Sequence, residues 1–252
     1  MTRLTLDRLT VMRGTCPVVD AATFEIGAGE LVGLIGPNGA GKTSLMRGAL
    51  GLLPHDGHCS LTAMTPHGRA RHAAWLPQSR EIAWPVAVET LVMLGRIPHL
   101  AAGQRPSEAD RIAVADALAT MDLTGFEARA ATELSGGEQA RVLIARALAQ
   151  DTPLILADEP IAGLDPGHQI ATMAAFAQLA ARGKALMVSL HDLGLAARHC
   201  TRLVLMHKGR IHADGPPASV LTRENLAQVF GISAHMANGP DGIIFQPLEV
   251  LA

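Results

Sequence analysis

Only three cysteines occur in the 252 residues, Cys16, Cys59 and Cys200, and they lie far apart. That scarcity argues against a disulfide framework and suits a reducing compartment. No apolar run reaches the ~18 residues a membrane-spanning helix needs. Neither charge sign dominates: 21 Lys and Arg face 23 Asp and Glu, a formal net charge of −2. Such a balance supplies no electrostatic drive toward nucleic acid, and no nucleic-acid partner is expected. Thr2–Arg13 alternates like a strand and lacks the charged start and apolar block of a signal peptide. Internal repeats, sustained heptads and low-complexity tracts are also missing. What is there is an apolar chain, 48% hydrophobic and 17% charged, which reads as globular. Its length can bury one sizeable core with an inserted subdomain. A mean hydropathy of +0.23 points to surface buried against partners.

The stretch Gly36–Ser44, GPNGAGKTS, organises the rest. It follows an apolar run ending at Ile35 and precedes a helix-like segment from Thr43 to Leu50. That is the strand, glycine loop and helix context of a phosphate-binding loop. Gly36, Gly39 and Gly41 allow a nest of N–H donors, and the helix aims its positive end at the same anion. Pro37, Asn38 and Ala40 complete the loop. Lys42 can reach the β- and γ-phosphates, the Thr43 hydroxyl can ligate Mg²⁺, and Ser44 closes the motif. A chance match to this pattern is on the order of 1% or less per chain.

Residues 2–35 read as strands, with Gly27–Gly29 turning into the loop strand. Residues 55–70 read as loop-rich. His55, His58 and Cys59 lie close together there, either as metal ligands or, with no fourth ligand nearby, as part of a solvated turn. Ala73–Gln78 reads as a short buried strand ending in a polar residue. From Ser79 to Gln150 apolar residues recur at helical spacing, broken by Pro98, Gly103, Pro106 and Gly125, which implies an inserted helical subdomain. Within it, Leu134–Glu138, LSGGE, opens a helix with Ser135 as N-cap and Glu138 closing a capping box. Gly136 and Gly137 either relax the helix entry or permit close approach to a second phosphate, presented to a nucleotide held by another copy.

Pro153–Ala157 is a continuous apolar strand of the parallel-sheet kind, ending in Asp158 and Glu159. Acidic residues at such an end face the ligand crevice, or else are simply solvated. There Asp158 can hold the Mg²⁺ shell and Glu159 can orient and polarise an attacking water. Ala162–Asp165 reads as a turn near the crevice, and Gly167–Ala181 as a helix. Ala185–Leu190 is another buried strand, followed by His191, either a structural histidine or a hydrogen-bond donor to the γ-phosphate. Thr201–His207 and Arg210–Ala213 read as a hairpin, Pro216–Val220 and Thr222–Phe230 as helices. Asn238–Gly242 reads as a turn between two short strands.

The ordered set GPNGAGKT, Gln78, LSGGE, LILADEP, AGLD and His191 resembles the ATP-binding-cassette ATPases over nearly the whole chain. LSGGE is the most diagnostic, because other P-loop enzymes lack it. The resemblance implies an α/β fold: a P-loop core with a mainly parallel sheet, an N-terminal antiparallel β subdomain and an inserted helical subdomain. The cassette would span 2–236, with core parts 2–78 and 151–236 and a helical part at about 79–150. Residues 237–252 would be a C-terminal strand extension. Gly36–Ser44 would be Walker A and Leu154–Asp158 Walker B. Glu159 would be the catalytic carboxylate, Gln78 the residue that senses Mg²⁺ and nucleotide, Asp165 the D-loop aspartate and His191 the switch histidine. Two copies would sandwich two ATPs head to tail, each site using one chain's P-loop and the other's Ser135–Gly137.

A narrower resemblance, in Val88–Leu100, Ala147–Gln150, His191–Leu193 and Val220–Gly231, is to importers of iron–siderophore complexes, haem and vitamin B12. It implies a homodimer docked as a peripheral subunit on the cytoplasmic side of a separate transmembrane permease, served indirectly by a substrate-binding protein. Vitamin B12 or metal-ion import, or a non-transport role such as iron–sulfur assembly, stands as the alternative. One departure is plain. The family usually offers an aromatic ring under adenine, but this chain has no tyrosine, and Arg13 stands at the matching position. A guanidinium plane can stack on a base, with looser base selectivity as the expected consequence.

Overall fold

The computed structural model describes residues 1–79, 81–239 and 242–251. Two long strands open the chain, β1 (Thr2–Arg13) and β2 (Cys16–Gly27), then β3 (Leu31–Ile35), α1 (Lys42–Ala49), β4 (Asp56–Cys59), α2 (Pro66–His72) and β5 (Ala73–Leu76). The helical stretch follows: α3 (Val88–Met93), a 3₁₀ segment Leu94–His99, α4 (Glu108–Thr120) and α5 (Gly136–Ala149). The chain then alternates through β6 (Leu154–Asp158), α6 (Pro166–Ala181), β7 (Ala185–Ser189), α7 (Leu193–His199), β8 (Arg202–His207) and β9 (Arg210–Gly215). It ends with α8 (Pro217–Val220), α9 (Arg223–Asn225), a π-helical turn Leu226–Phe230, β10 (Ile232–Gly239) and β11 (Gly242–Val250).

The central sheet has the order β5-β6-β7-β3-β8-β9. Its first five strands run parallel, and β9 pairs antiparallel with β8. Because the side-chain period of a strand is two, each strand feeds both faces. Leu31 and Ile35 of β3, Ile155 of β6 and Val188 of β7 join one core with α3–α7. Val32, Leu34, Leu156 and Met187 join a second core with β1, β2 and α1. Every residue of β3, β6 and β7 is buried, which is why these runs carry no polar alternation. β1 is the middle of a separate antiparallel sheet, β2-β1-β4, that covers the second core.

One sequence expectation needs correction. Residues 55–70 are not mainly loop. β4 pairs with β1, Leu6 opposite Cys59, and α2 begins at Pro66 with the Thr65 hydroxyl accepting the Gly68 N–H at 3.1 Å. The pairing satisfies backbone groups that a four-residue strand with one apolar residue cannot advertise by its own pattern. His55, His58 and Cys59 form no metal-binding group among the described residues: Cys59 is buried and donates to the Ala49 carbonyl at 3.2 Å, while His58 is exposed. At the C-terminal end β10 pairs antiparallel with β11 as a hairpin from Ile232 onward. Met236 and Phe245 pack it against the core beside α7. The turn expected at Asn238–Gly242 includes Pro240 and Asp241, which lie outside the described residues.

Candidate active site

The strand order places the carboxyl ends of β6, β7 and β3 side by side. In register, Asp158 of β6 sits opposite Ser189 of β7, and Ser189 opposite Leu34 of β3. The loop after β3, the acidic pair after β6 and the histidine after β7 therefore converge without any long side chain having to reach.

The glycine loop is shaped by close backbone approach. At Gly36 (φ +147°) a Cβ would meet the Met206 carbonyl oxygen at 2.3 Å, and at Gly41 (φ +103°) the Val18 carbonyl oxygen at 2.3 Å. Neither position admits a side chain, so the loop is held tight between β8 and β2. Lys42 is buried and folds back, donating from Nζ to the carbonyls of Gly36 at 2.7 Å and Pro37 at 3.1 Å. Burial pushes its ammonium below the ordinary lysine value, while the Glu159 and Asp158 carboxylates pull it the other way. Asn38–Ser44, Arg13, Val18, Gln78 and Glu159 line an open pocket of about 420 Å³.

A chain of hydrogen bonds runs from this loop to the histidine. The Thr43 hydroxyl donates to Asp158 Oδ2 at 2.7 Å, and the Ser189 hydroxyl to Asp158 Oδ1 at 2.6 Å. The Glu159 N–H donates to Ser189 Oγ at 2.8 Å. Glu159 itself has φ +50°, a left-handed conformation uncommon outside glycine. Its carboxylate accepts from Gln78 Nε2 at 2.9 Å and lies 2.6 Å from His191 Nε2. Gln78 and Glu159 thus line the P-loop pocket, His191 joins them through Glu159, and buried Asp158 sits behind Thr43. Ser189 was not singled out from the sequence, although a hydroxyl ending the apolar run Ala185–Ser189 is a readable sign of a buried polar partner.

The LSGGE segment stands elsewhere. The Ser135 hydroxyl accepts the Glu138 N–H at 3.3 Å, and Glu138 Oε2 accepts the Ser135 N–H at 2.7 Å, so the capping box is formed. The Ser135 N–H and hydroxyl, with Arg129 and Arg141 adding charge, hold the Glu138 carboxyl below its usual value. Ser135 and Gly136 are exposed and do not line the P-loop pocket of their own chain. Asp165 is likewise outside it. It is the N-cap of α6, its Oδ1 accepting the His168 N–H at 3.0 Å while Oδ2 meets the His168 ring. The pairing with His168 lowers the Asp165 carboxyl from its usual value.

A glycine loop between a buried parallel strand and a helix, with two carboxylates at the end of a nearby strand, defines a class: the P-loop nucleoside triphosphatases. The comparisons narrow it. The family model described as ABC transporter matches residues 19–162. A hemin import ATP-binding protein of Nocardia farcinica is 44% identical, over 84% of this chain and 75% of its own. A protein of the same description from Pseudomonas aeruginosa is 39% identical over 94% and 96%. Among solved structures, one titled as an inward-facing, metal-chelate type ABC transporter aligns with a TM-score of 0.85 at 25% identity, covering 99% of this chain and 98% of that one. The chain belongs to the ABC transporter family. It is one of the family's ATP-binding subunits, which hydrolyse ATP to drive transport.

Proposed function

We propose that the chain powers an importer of haem or an iron–siderophore complex, as a head-to-tail homodimer on the cytoplasmic face of the membrane. It docks there on separate permease subunits that receive cargo from a substrate-binding protein. The observation that carries the cargo class is the relatives' description as hemin import ATP-binding proteins, with the metal-chelate type structural neighbour beside it. The absence, among the described residues, of a helix long and apolar enough to cross a membrane accords with a docked, peripheral subunit. The helix start, exposed at Ser135 and Gly136 and not lining its own chain's pocket, accords with its use by a partner copy. The division into a core and a helical part at about 79–150, with a hairpin extension, belongs to the same reading.

In this reading Gly36–Ser44 wraps the phosphates with backbone N–H groups, and Lys42 exchanges its two loop carbonyls for phosphate oxygens. Thr43, Asp158 and Gln78 offer hydroxyl, carboxylate and amide oxygens, a donor set of the hard kind that suits Mg²⁺. When bound, that ion neutralises charge on the β- and γ-phosphates. Glu159 orients and polarises the attacking water, and His191, which now holds its carboxylate, lends a hydrogen bond at the γ-phosphate. Asp165 and the partner's helix start complete each site, and closure excludes water from the bond that breaks.

The test is growth of a strain lacking the gene on haem, a ferric siderophore or cobalamin as the sole source. Failure on haem or siderophore, rescued by the intact gene but not by a Glu159→Gln copy, is the expected result. Failure on cobalamin alone, or normal growth on all three, overturns the cargo assignment and leaves the ATPase in place.

A further inference from the structure

Ser189 ends β7 and is the only hydroxyl in that five-residue strand. It is completely buried, and Asp158 beside it is 1% exposed. A buried hydroxyl is costly unless both its donor and its acceptor are used. Here both are, and both go to the acidic pair: the hydrogen to Asp158 Oδ1 at 2.6 Å, the oxygen to the Glu159 N–H at 2.8 Å. The other Asp158 oxygen accepts from Thr43 at 2.7 Å, so the two hydroxyls grip the carboxylate from opposite sides. Glu159 turns at φ +50°, a conformation that persists only where the surroundings hold it. The Ser189 oxygen meets its N–H at that turn, and the turn carries the Glu159 carboxylate to Gln78 and His191.

We infer that Ser189 is a positioning residue for hydrolysis: it orients the Asp158 carboxylate toward Thr43 and pins the Glu159 backbone in its left-handed turn. It touches neither nucleotide nor water, and acts through the two residues it joins. The inference rests on the roles of Asp158 and Glu159 given above.

The test compares Ser189→Ala, which removes both bonds, with Ser189→Thr, which keeps the hydroxyl, and with Glu159→Gln. Three readouts are taken: ATP turnover, affinity for a fluorescent ATP analogue with Mg²⁺ and with EDTA, and the thermal unfolding midpoint. For Ser189→Ala the expected result is a kcat about 10–100-fold lower, with KM for MgATP raised only as far as the smaller Mg²⁺ gain requires. The gain in nucleotide affinity on adding Mg²⁺ shrinks, while affinity in EDTA stays as in the wild type. Ser189→Thr recovers most of the turnover. An unchanged kcat and Mg²⁺ gain in Ser189→Ala overturns the inference, and so does a loss that appears equally in EDTA, which marks a merely structural role. If Ser189→Ala does not fold, Ser189→Cys, of similar size and weaker hydrogen bonding, carries the same comparison. Full turnover by Glu159→Gln overturns the underlying reading instead, whatever Ser189→Ala does.

Discussion

Gly136→Ala separates what the chain does alone from what it does as a pair. Gly136 is the first residue of α5, and a Cβ built there meets nothing within 4 Å. At Gly137 the nearest atom is Leu164 Cδ2 at an ordinary 3.8 Å. The capping box uses Ser135 and Glu138, so it survives the substitution. Alanine is the better helix former by up to about 1 kcal/mol, so the isolated subunit is predicted to be as stable as the wild type or slightly more so. Its P-loop pocket, which Gly136 does not line, keeps its ATP affinity. In the proposed head-to-tail pair, however, the α5 start would have to bring its N–H groups to hydrogen-bonding distance, ~2.9 Å, from the partner's phosphate. A methyl group there holds the anion off by about 1 Å, and misplacement of that size costs about 100-fold in rate. The measurements are urea denaturation, ATP-analogue binding by the monomer, steady-state hydrolysis, and light scattering of the Glu159→Gln background with ATP. A Gly136→Ala protein that hydrolyses ATP at the wild-type rate and still dimerises refutes the sandwich reasoning.

Three further outcomes follow from the same structure. Arg96→Ala removes the guanidinium from the buried Asp110, which keeps only its Ser107 donors, and from the Ala149 carbonyl, contacts of 2.8 and 2.7 Å, and denaturant titration is expected to read a loss of about 3 kcal/mol. A loss under 1 kcal/mol would show that the pair does not tie α4 to the end of α5. The Ser107 hydroxyl and N–H, with Arg96 beside them, hold the Asp110 carboxyl down at about 2 against an ordinary 3.8. The depressed value means stability that is full above pH ~4 and is lost as pH falls toward 2, roughly 1 kcal/mol of it by pH 3. Asp110→Asn should flatten that part of the pH profile, and an unaltered profile would contradict the assignment. Arg13, exposed at the end of β1 and lining the P-loop pocket, is expected to support GTP and ATP turnover comparably. Arg13→Ala should raise KM for both by about tenfold, the worth of a desolvated guanidinium–base stack, whereas strict ATP preference in the wild type would remove Arg13 from that role.

Much of this was legible in the chain itself. The apolar runs of β3, β6 and β7 announced a sheet buried on both faces, because such strands need no polar side. The glycine loop and the Ser135 capping box are local chemistry, set by residues within a few positions of one another. The order of the motifs was enough to place the chain near its family. β4 was not legible, since the short segment Asp56–Cys59, with one apolar residue, becomes a strand only when β1 offers it partners, and α2 was missed although Thr65 and Pro66 form a readable helix start.

What only the tertiary structure decided is which of these residues touch. Thr43 and Asp158 lie 115 positions apart, Gln78 and Glu159 lie 81 apart, and Asp158 and Ser189 lie 31 apart. Nothing in their local sequence specifies that β6 and β7 are neighbours with Asp158 opposite Ser189. In the folded sheet the two faces feed two cores, Ile155 and Val188 facing one and Leu156 and Met187 the other, and the side-by-side pairing of β6 and β7 sets Asp158 opposite Ser189. The sequence by itself determined the chemical groups, and packing determined that Ser189 would stand between the Asp158 carboxylate and the Glu159 N–H.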